Sequence, residues 1–178
     1  MNPLTVVSLR AVRPLILIVA GALIAACATP GAETGTATRK ARDWLTDIRA
    51  EAARLPSNVH VMPLEDAAVA DLRARAEAED AAGRFPAAIK AWSQAITLAG
   101  DDPTLWQGLA ESRVGVADWA AAEEAARRAI ALGPGVGELC LRSWLTVHAA
   151  RIEQRDAIGG ADALHQVAAC QAAPPPRY

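Results

Sequence analysis

The sequence predicts an all-α protein, a short array of antiparallel helical hairpins with an extra helix before the array and a capping hairpin after it. Three observations carry that expectation. The 178 residues are 52% hydrophobic but only 4% aromatic, and alanine is the most frequent residue, a composition that favours helix over sheet. The chain from Val69 to Gly135 superposes on itself at a spacing of about 34 residues. Helix starts and stops fall at the boundaries of that period: Asp102 before Pro103, Pro86 just after Gly83, and the run Gly133-Pro134-Gly135. The length allows one ordinary domain, or a small domain with tethering segments.

The first element is a leader. A polar start carrying Arg10 and Arg13 is followed by the apolar run Leu15 to Ile24, the layout of a secretory signal. That run is well short of the ~20 residues a membrane-spanning helix needs, and no second one follows. It ends in Ile24-Ala25-Ala26-Cys27, which resembles the lipobox of bacterial lipoproteins: an aliphatic residue, two small residues, then the cysteine that accepts a diacylglyceryl group. The resemblance implies a leader over 1–26, cleavage before Cys27, and lipidation there with more than one acyl chain, palmitate included, enough for stable anchoring. Ala28 stands where an Asp would signal retention at the inner membrane, which implies the outer membrane, facing the periplasm. The alternative is a conventional leader cut at a nearby small-x-small site. Loss of Arg10 and Arg13 from 18 basic residues, against 20 acidic ones, leaves the remainder at about −4. Nucleic-acid binding has no electrostatic support.

Residues 27–38 are small, polar and Gly/Pro-containing, a flexible tether. Residues 39–63 hold an amphipathic helix and a linker. Trp44, Leu45, Ile48, Ala52 and Leu55 share one side of the helix, with Arg and Glu on the other. Two readings stand for it: a cap packed on the first repeat, or a contact with the membrane surface or a partner through Trp44. His60, in the linker, is lone and reads as structural.

The array is expected over 64–173, with repeats at about 69–102 and 103–136, a capping hairpin at about 138–171 and a tail at 174–178. Across the period Ala76 falls on Ala110, Phe85 on Trp119, Ala88 on Ala122, Ala95 on Ala129, Ile96 on Ile130 and Leu98 on Leu132. In the second copy Trp106, Leu109, Ala110, Trp119, Ala122, Ala129, Ile130 and Pro134 resemble the signature of the tetratricopeptide repeat (TPR) family. That resemblance implies a TPR-like right-handed array of hairpins. Small residues let paired helices approach closely and large ones fill the gaps between hairpins. In the first copy Arg75 and Glu79 stand where Leu and an aromatic belong, as in a terminal repeat with a solvated face.

The third hairpin departs from the signature, with Trp144 where a small residue belongs. A helix over Glu138 to about Gln154 carries Leu139, Trp144, Val147 and Ile152. Arg155 to Gly160 then breaks it, and a second helix over Ala161 to Gln171 is expected to set Leu164 and Val167 on one face. Cys140 and Cys170 lie at the two free ends of this hairpin, whose arms are each on the order of 20 Å. In an oxidising compartment a Cys140–Cys170 disulfide is expected, worth about 3 kcal/mol. Two buried free thiols, or a metal site with His148 or His165, remain as alternatives.

No Ser/His/Asp, Cys/His or paired-carboxylate arrangement stands out, and the three His are scattered. No enzyme, cofactor or metal is expected. The family resemblance implies instead a groove lined by the first helix of each hairpin. Carried over position by position, its residues are Arg73, Glu77 and Asp80, then Gln107, Glu111 and Val114, then Leu141, Leu145 and His148. Such a mixture suits a partner segment with a basic residue and an apolar anchor. The expected function is a lipid-anchored adaptor or assembly factor for an envelope complex, binding a periplasmic or envelope protein, with homo-oligomerisation through an open edge a further expectation. The alternatives are a permanent structural subunit of an envelope machine and an accessory factor that binds the cell wall or regulates its hydrolases.

Overall fold

Aspartates open most of the helices. In the computed structural model, which describes residues 42–55 and 65–171, the side chains of Asp43, Asp66, Asp102 and Asp156 accept from the backbone N–H of Thr46, Ala68, Thr104 and Gly159 respectively. Each satisfies a donor that the first helical turn leaves unpaired. The leader, Cys27, the tether, His60 and the tail lie outside the described residues.

Among the described residues the chain forms seven helices and no strand. They are α1 (Trp44–Ala52), α2 (Ala67–Ala81), α3 (Phe85–Leu98), α4 (Pro103–Gly115), α5 (Trp119–Leu132), α6 (Glu138–Glu153) and α7 (Ala157–Ala169). Three hairpins, α2–α3, α4–α5 and α6–α7, stack in sequence order, with α3 against α4 and α5 against α6. The first helices α2, α4 and α6 also touch in turn and form the inner face.

The repeat dictates this packing. Ala76, Ala110, Ala88, Ala122, Ala95 and Ala129 are all 1% exposed or less, so wherever the period places a small residue two helix backbones meet. Trp92 and Leu105 fill the core between the first two hairpins, Trp106 packs on its margin, and Trp119 joins the cluster on the inner face. The turns repeat too. Gly83 (φ 70°) closes the first hairpin and Ala117 (φ 57°), one period later, closes the second, while Arg155 (φ 64°) closes the third. Only glycine takes this left-handed conformation freely; other residues lose about 1–2 kcal/mol there.

The third hairpin corrects the sequence expectation in two respects. Its second helix begins at Ala157, four residues ahead of Ala161, and Gly159 and Gly160 lie inside it. Those glycines allow close approach and do not break the helix. A Cβ on Gly159 would run into the Arg151 guanidinium and the Asp156 carboxylate, and one on Gly160 would come within 2.7 Å of Ile152 Cδ1. The break is made at Arg155, whose left-handed backbone follows the end of α6, and at Asp156, which caps α7. Leu164 and Val167 also part company: Ala163, Val167 and Cys170 are buried, whereas Leu164 faces outward. The i, i+4, i+7 set of Ala163, Val167 and Cys170 is the stripe that faces α6, and Leu164 lies about a quarter turn from its centre, on the flank of the helix.

At the open end of this hairpin the sulfurs of Cys140 and Cys170 stand at disulfide distance, 2.00 Å apart, and the Gly137 N–H donates to the Cys170 carbonyl (2.8 Å). The link and the hydrogen bond together hold the end of α7 to the start of α6.

Two outcomes follow from these features. Ala117→Gly relieves the left-handed turn and raises stability in urea unfolding by about 0.5–1 kcal/mol, while Gly83→Ala lowers it by a similar amount. Cys170→Ser lowers stability by about 3 kcal/mol, and the unmodified chain migrates differently on gels with and without reductant.

Candidate functional site

On α4, Gln107, Glu111 and Val114 recur at i, i+4 and i+7, one stripe of a helix. The stacking turns that stripe inward, with Arg73, Glu77 and Asp80 of α2 on one side and Leu141, Leu145 and His148 of α6 on the other. The array therefore brings the residues expected of the groove onto its inner face. Much of that face is already covered. Gln107, Glu111, Val114 and Leu141 are buried, because α1 lies across α4 and α6. The expected cap on the first repeat is thus corrected: α1 packs on the first helices of the second and third hairpins. A nine-residue helix with one apolar stripe is covered more fully in a concave face than at the edge of a hairpin.

Trp44, Ile48 and Ala52 form that stripe and are buried. Trp44 and Ile48 pack with Val114, Ala122 and Ala149, with Leu145 at the margin. Ala52 packs with Leu141 beside the Cys140–Cys170 link. The indole N–H of Trp44 donates to Glu153 Oε1 (2.6 Å), and the His148 ring meets the indole edge-on with centroids 5.5 Å apart. His148 Nδ1 lies 2.8 Å from the Gly160 carbonyl. Its ring is therefore committed to α1 and α7.

The polar half of the contact centres on Glu111, whose side chain is 1% exposed. Arg49 Nε donates to Glu111 Oε2 (2.9 Å) and Arg142 Nε to Oε1 (2.7 Å), with Gln107 Nε2 also on Oε1 (3.1 Å). Gln107 is held in turn by Ser143 Oγ, which donates to its Oε1 (2.8 Å), and donates to Thr146 Oγ1 (3.2 Å). Arg49 also pairs with Asp80 of α2, which accepts from Ser112 Oγ (2.8 Å). Burial by itself would push the Glu111 carboxyl up; the Arg142 and Arg49 charges and the hydrogen bonds from Gln107 and Arg49 outweigh it and hold the group below its ordinary value.

Arg73 has a structural use. It donates to Glu65 (2.7 Å), Asp102 (2.7 Å) and Thr104 Oγ1 (2.8 Å), and so ties α2 to the capped start of α4. Between α2 and α4, beside Arg49, a cavity of about 260 Å³ stays open on the inner face, lined by Arg73, Glu77, Asp80, Trp92 and Gly108 among others. The buried indole N–H of Trp92 has no hydrogen-bond partner among the described residues. No group of three or more His, Cys, Asp or Glu suited to a metal gathers among them either.

Arg49, Arg142, Ser143 and Thr146 escaped the sequence reading, which placed the arginines of α1 on the side opposite its apolar stripe. A signal was present: a glutamate in the middle of an inward stripe requires a cation, and Arg49 adjoins the apolar position Ile48.

Residues 69–112, covering the first hairpin and most of α4, match the family profile of the tetratricopeptide repeat. A comparison with curated proteins gives no significant match.

The lowered Glu111 pKa sets a pH response. The unfolded chain takes up the proton first, so the contribution of this carboxylate is complete at neutral pH and is lost as pH falls below the ordinary glutamate value through the folded-state value. The protection factors of the amides of residues 44–52, which divide out the slower intrinsic exchange in acid, therefore fall on that acid side. Glu111→Gln lowers stability at neutral pH and makes the acid-side fall in urea unfolding shallower; the slope that remains includes Glu123, also lowered although its burial raises it, because Arg127 and Arg151 bond to it.

Proposed function

We propose that this tetratricopeptide-repeat protein, whose family match spans residues 69–112, is a non-enzymatic adaptor or assembly factor that holds a periplasmic partner at the outer membrane. At the coarser level, tetratricopeptide repeats indicate a protein–protein interaction module, and all-helical arrays of this kind are interaction scaffolds. The observation that carries the reading is the inner face itself. Three first helices converge on it, and its α2–α4 side keeps an open cavity with Glu77 exposed at the wall. A carboxylate beside such a cavity suits a basic residue of a partner segment.

The envelope setting is supported by the leader and by Ile24-Ala25-Ala26-Cys27. Lipid on Cys27 would confine the array to a membrane surface, and residues 28–38 would let it stand away from that surface. The demand for an oxidising compartment made by a Cys140–Cys170 link agrees with export.

A second reading, a permanent subunit of an envelope machine, is favoured by the last helix. Ile158 is 80% exposed and Leu164 49% exposed on α7, against which no further hairpin stacks among the described residues. Apolar groups in that position suit burial in a larger assembly.

Cys27→Ser is expected to move the protein out of the membrane fraction, as read by fractionation. Crosslinking in cells followed by mass spectrometry is expected to capture a discrete envelope partner from the wild-type chain, and Glu77→Arg to lose it. An unchanged set of crosslinks in Glu77→Arg refutes the groove assignment. A chain that stays monomeric in light scattering supports the adaptor, and one that aggregates without its partner supports the permanent subunit.

A further inference from the structure

We propose that α1 is the resident ligand of the inner face, and that the partner this face accepts is an amphipathic helix with an aromatic residue, an aliphatic one four positions on and an arginine at the next, which binds by displacing α1. The inference rests on the interaction-module reading and deepens it by naming the chemistry of the partner.

Four features of the contact support it. First, α1 lies outside the hairpin array and its backbone does not approach α2, the helix that follows it in the chain; it packs on α4 and α6, and reaches α2 through the Arg49–Asp80 ion pair. It is thus a ligand of the array joined by a linker. Second, α1 is nine residues long, below the length at which a helix persists alone in water, so its helicity depends on docking. Release of α1 from the groove and loss of its structure are one event.

Third, the receptor is built for this pattern. Val114, Ala122 and Ala149 form an apolar slot under Trp44 and Ile48, Glu153 takes the indole N–H, and Glu111 and Asp80 take Arg49. With the slot empty, Val114 and Leu141 would meet water and Glu111 would keep one arginine of its two. An occupant with the same three groups restores each contact. Fourth, the face extends past α1. The cavity beside Arg49, with Glu77 on its wall, lies next to the helix. A longer partner helix could fill it and gain contacts that α1 does not make. That surplus is needed, because a short linker holds α1 at an effective concentration on the order of millimolar, and a competitor prevails only through greater affinity for the groove.

The test uses a fluorescent peptide with the sequence of residues 42–55 and full-length chains. Ile48→Glu opens the groove by placing a charge in the apolar slot. Trp44→Ala opens it without adding charge and serves should the first variant fold poorly. Circular dichroism checks that the hairpins of the chain used remain helical. The opened chain is expected to bind the peptide at least about tenfold more tightly than the wild-type chain, whose own helix competes. A peptide carrying Arg49→Glu is expected to lose at least that factor. Absence of peptide binding by a folded opened chain overturns the inference, and so does equal binding to opened and wild-type chains. A wild-type chain that is a dimer and becomes monomeric on Ile48→Glu identifies a second copy as the occupant and also overturns it. Capture of a partner by the wild-type chain in cells is scored separately, so either reading can fail while the other stands.

Discussion

A glutamate buried in the middle of a helical array is the constraint on which the inner face depends. Glu111 is almost wholly removed from water, and an ionised carboxylate in that position is unfavourable by several kcal/mol unless it is paired and hydrogen-bonded. Its partners come from three helices: Arg49 from α1, Gln107 from its own α4 and Arg142 from α6. Each partner has a second bond that aims it. Arg49 is held by Asp80, Gln107 by Ser143 and Thr146, and Arg142 by Glu138 one turn earlier on α6. The carboxylate therefore sets the register of α6 against α4 and requires a cation on whatever lies across them.

The rest of the array supplies a frame that keeps this centre in place. Alanines at the period's small positions bring the helices of each hairpin together, and Trp92 and Leu105 fill the space between the first two hairpins. Contacts between small residues carry little directional information. Orientation comes instead from polar ties at the hairpin junctions: Arg73 to Asp102 between α2 and α4, and Arg151 to Glu123 between α6 and α5 (2.9 Å). The Cys140–Cys170 link does the same at the last described hairpin, where no further hairpin covers α7 among the described residues.

This arrangement changes the meaning of a groove in such a small array. Three first helices offer a short inner face, and an uncovered strip with Val114, Leu141 and Leu145 would present apolar surface to water. α1 covers it, using Trp44 and Ile48 for the apolar half and Arg49 for the charged half. The α2–α4 side remains open, so the inner face carries a covered half and an accessible half.

Much of the fold was legible in the chain because hairpin packing is a local, repeated problem. The spacing of Ala76 and Ala110, of Ala88 and Ala122, and the capping signal Asp102-Pro103 each report a requirement met within one hairpin or between neighbours, and periodicity exposes such requirements directly. The inward stripe on α4 was legible through the family resemblance, which carries groove positions over one by one. Other features depended on contacts that no period encodes. Gly159 and Gly160 read as breakers until α6 was seen to press Arg151 and Ile152 against them, and the conformation of Arg155 does not show in its identity. The place of α1 was the largest such feature. Its apolar stripe announced that something must cover it, but an amphipathic helix states only that it needs a surface. Which surface was decided by the tertiary structure, where Glu111, isolated in the sequence, becomes a buried charge that Arg49 bonds together with Asp80.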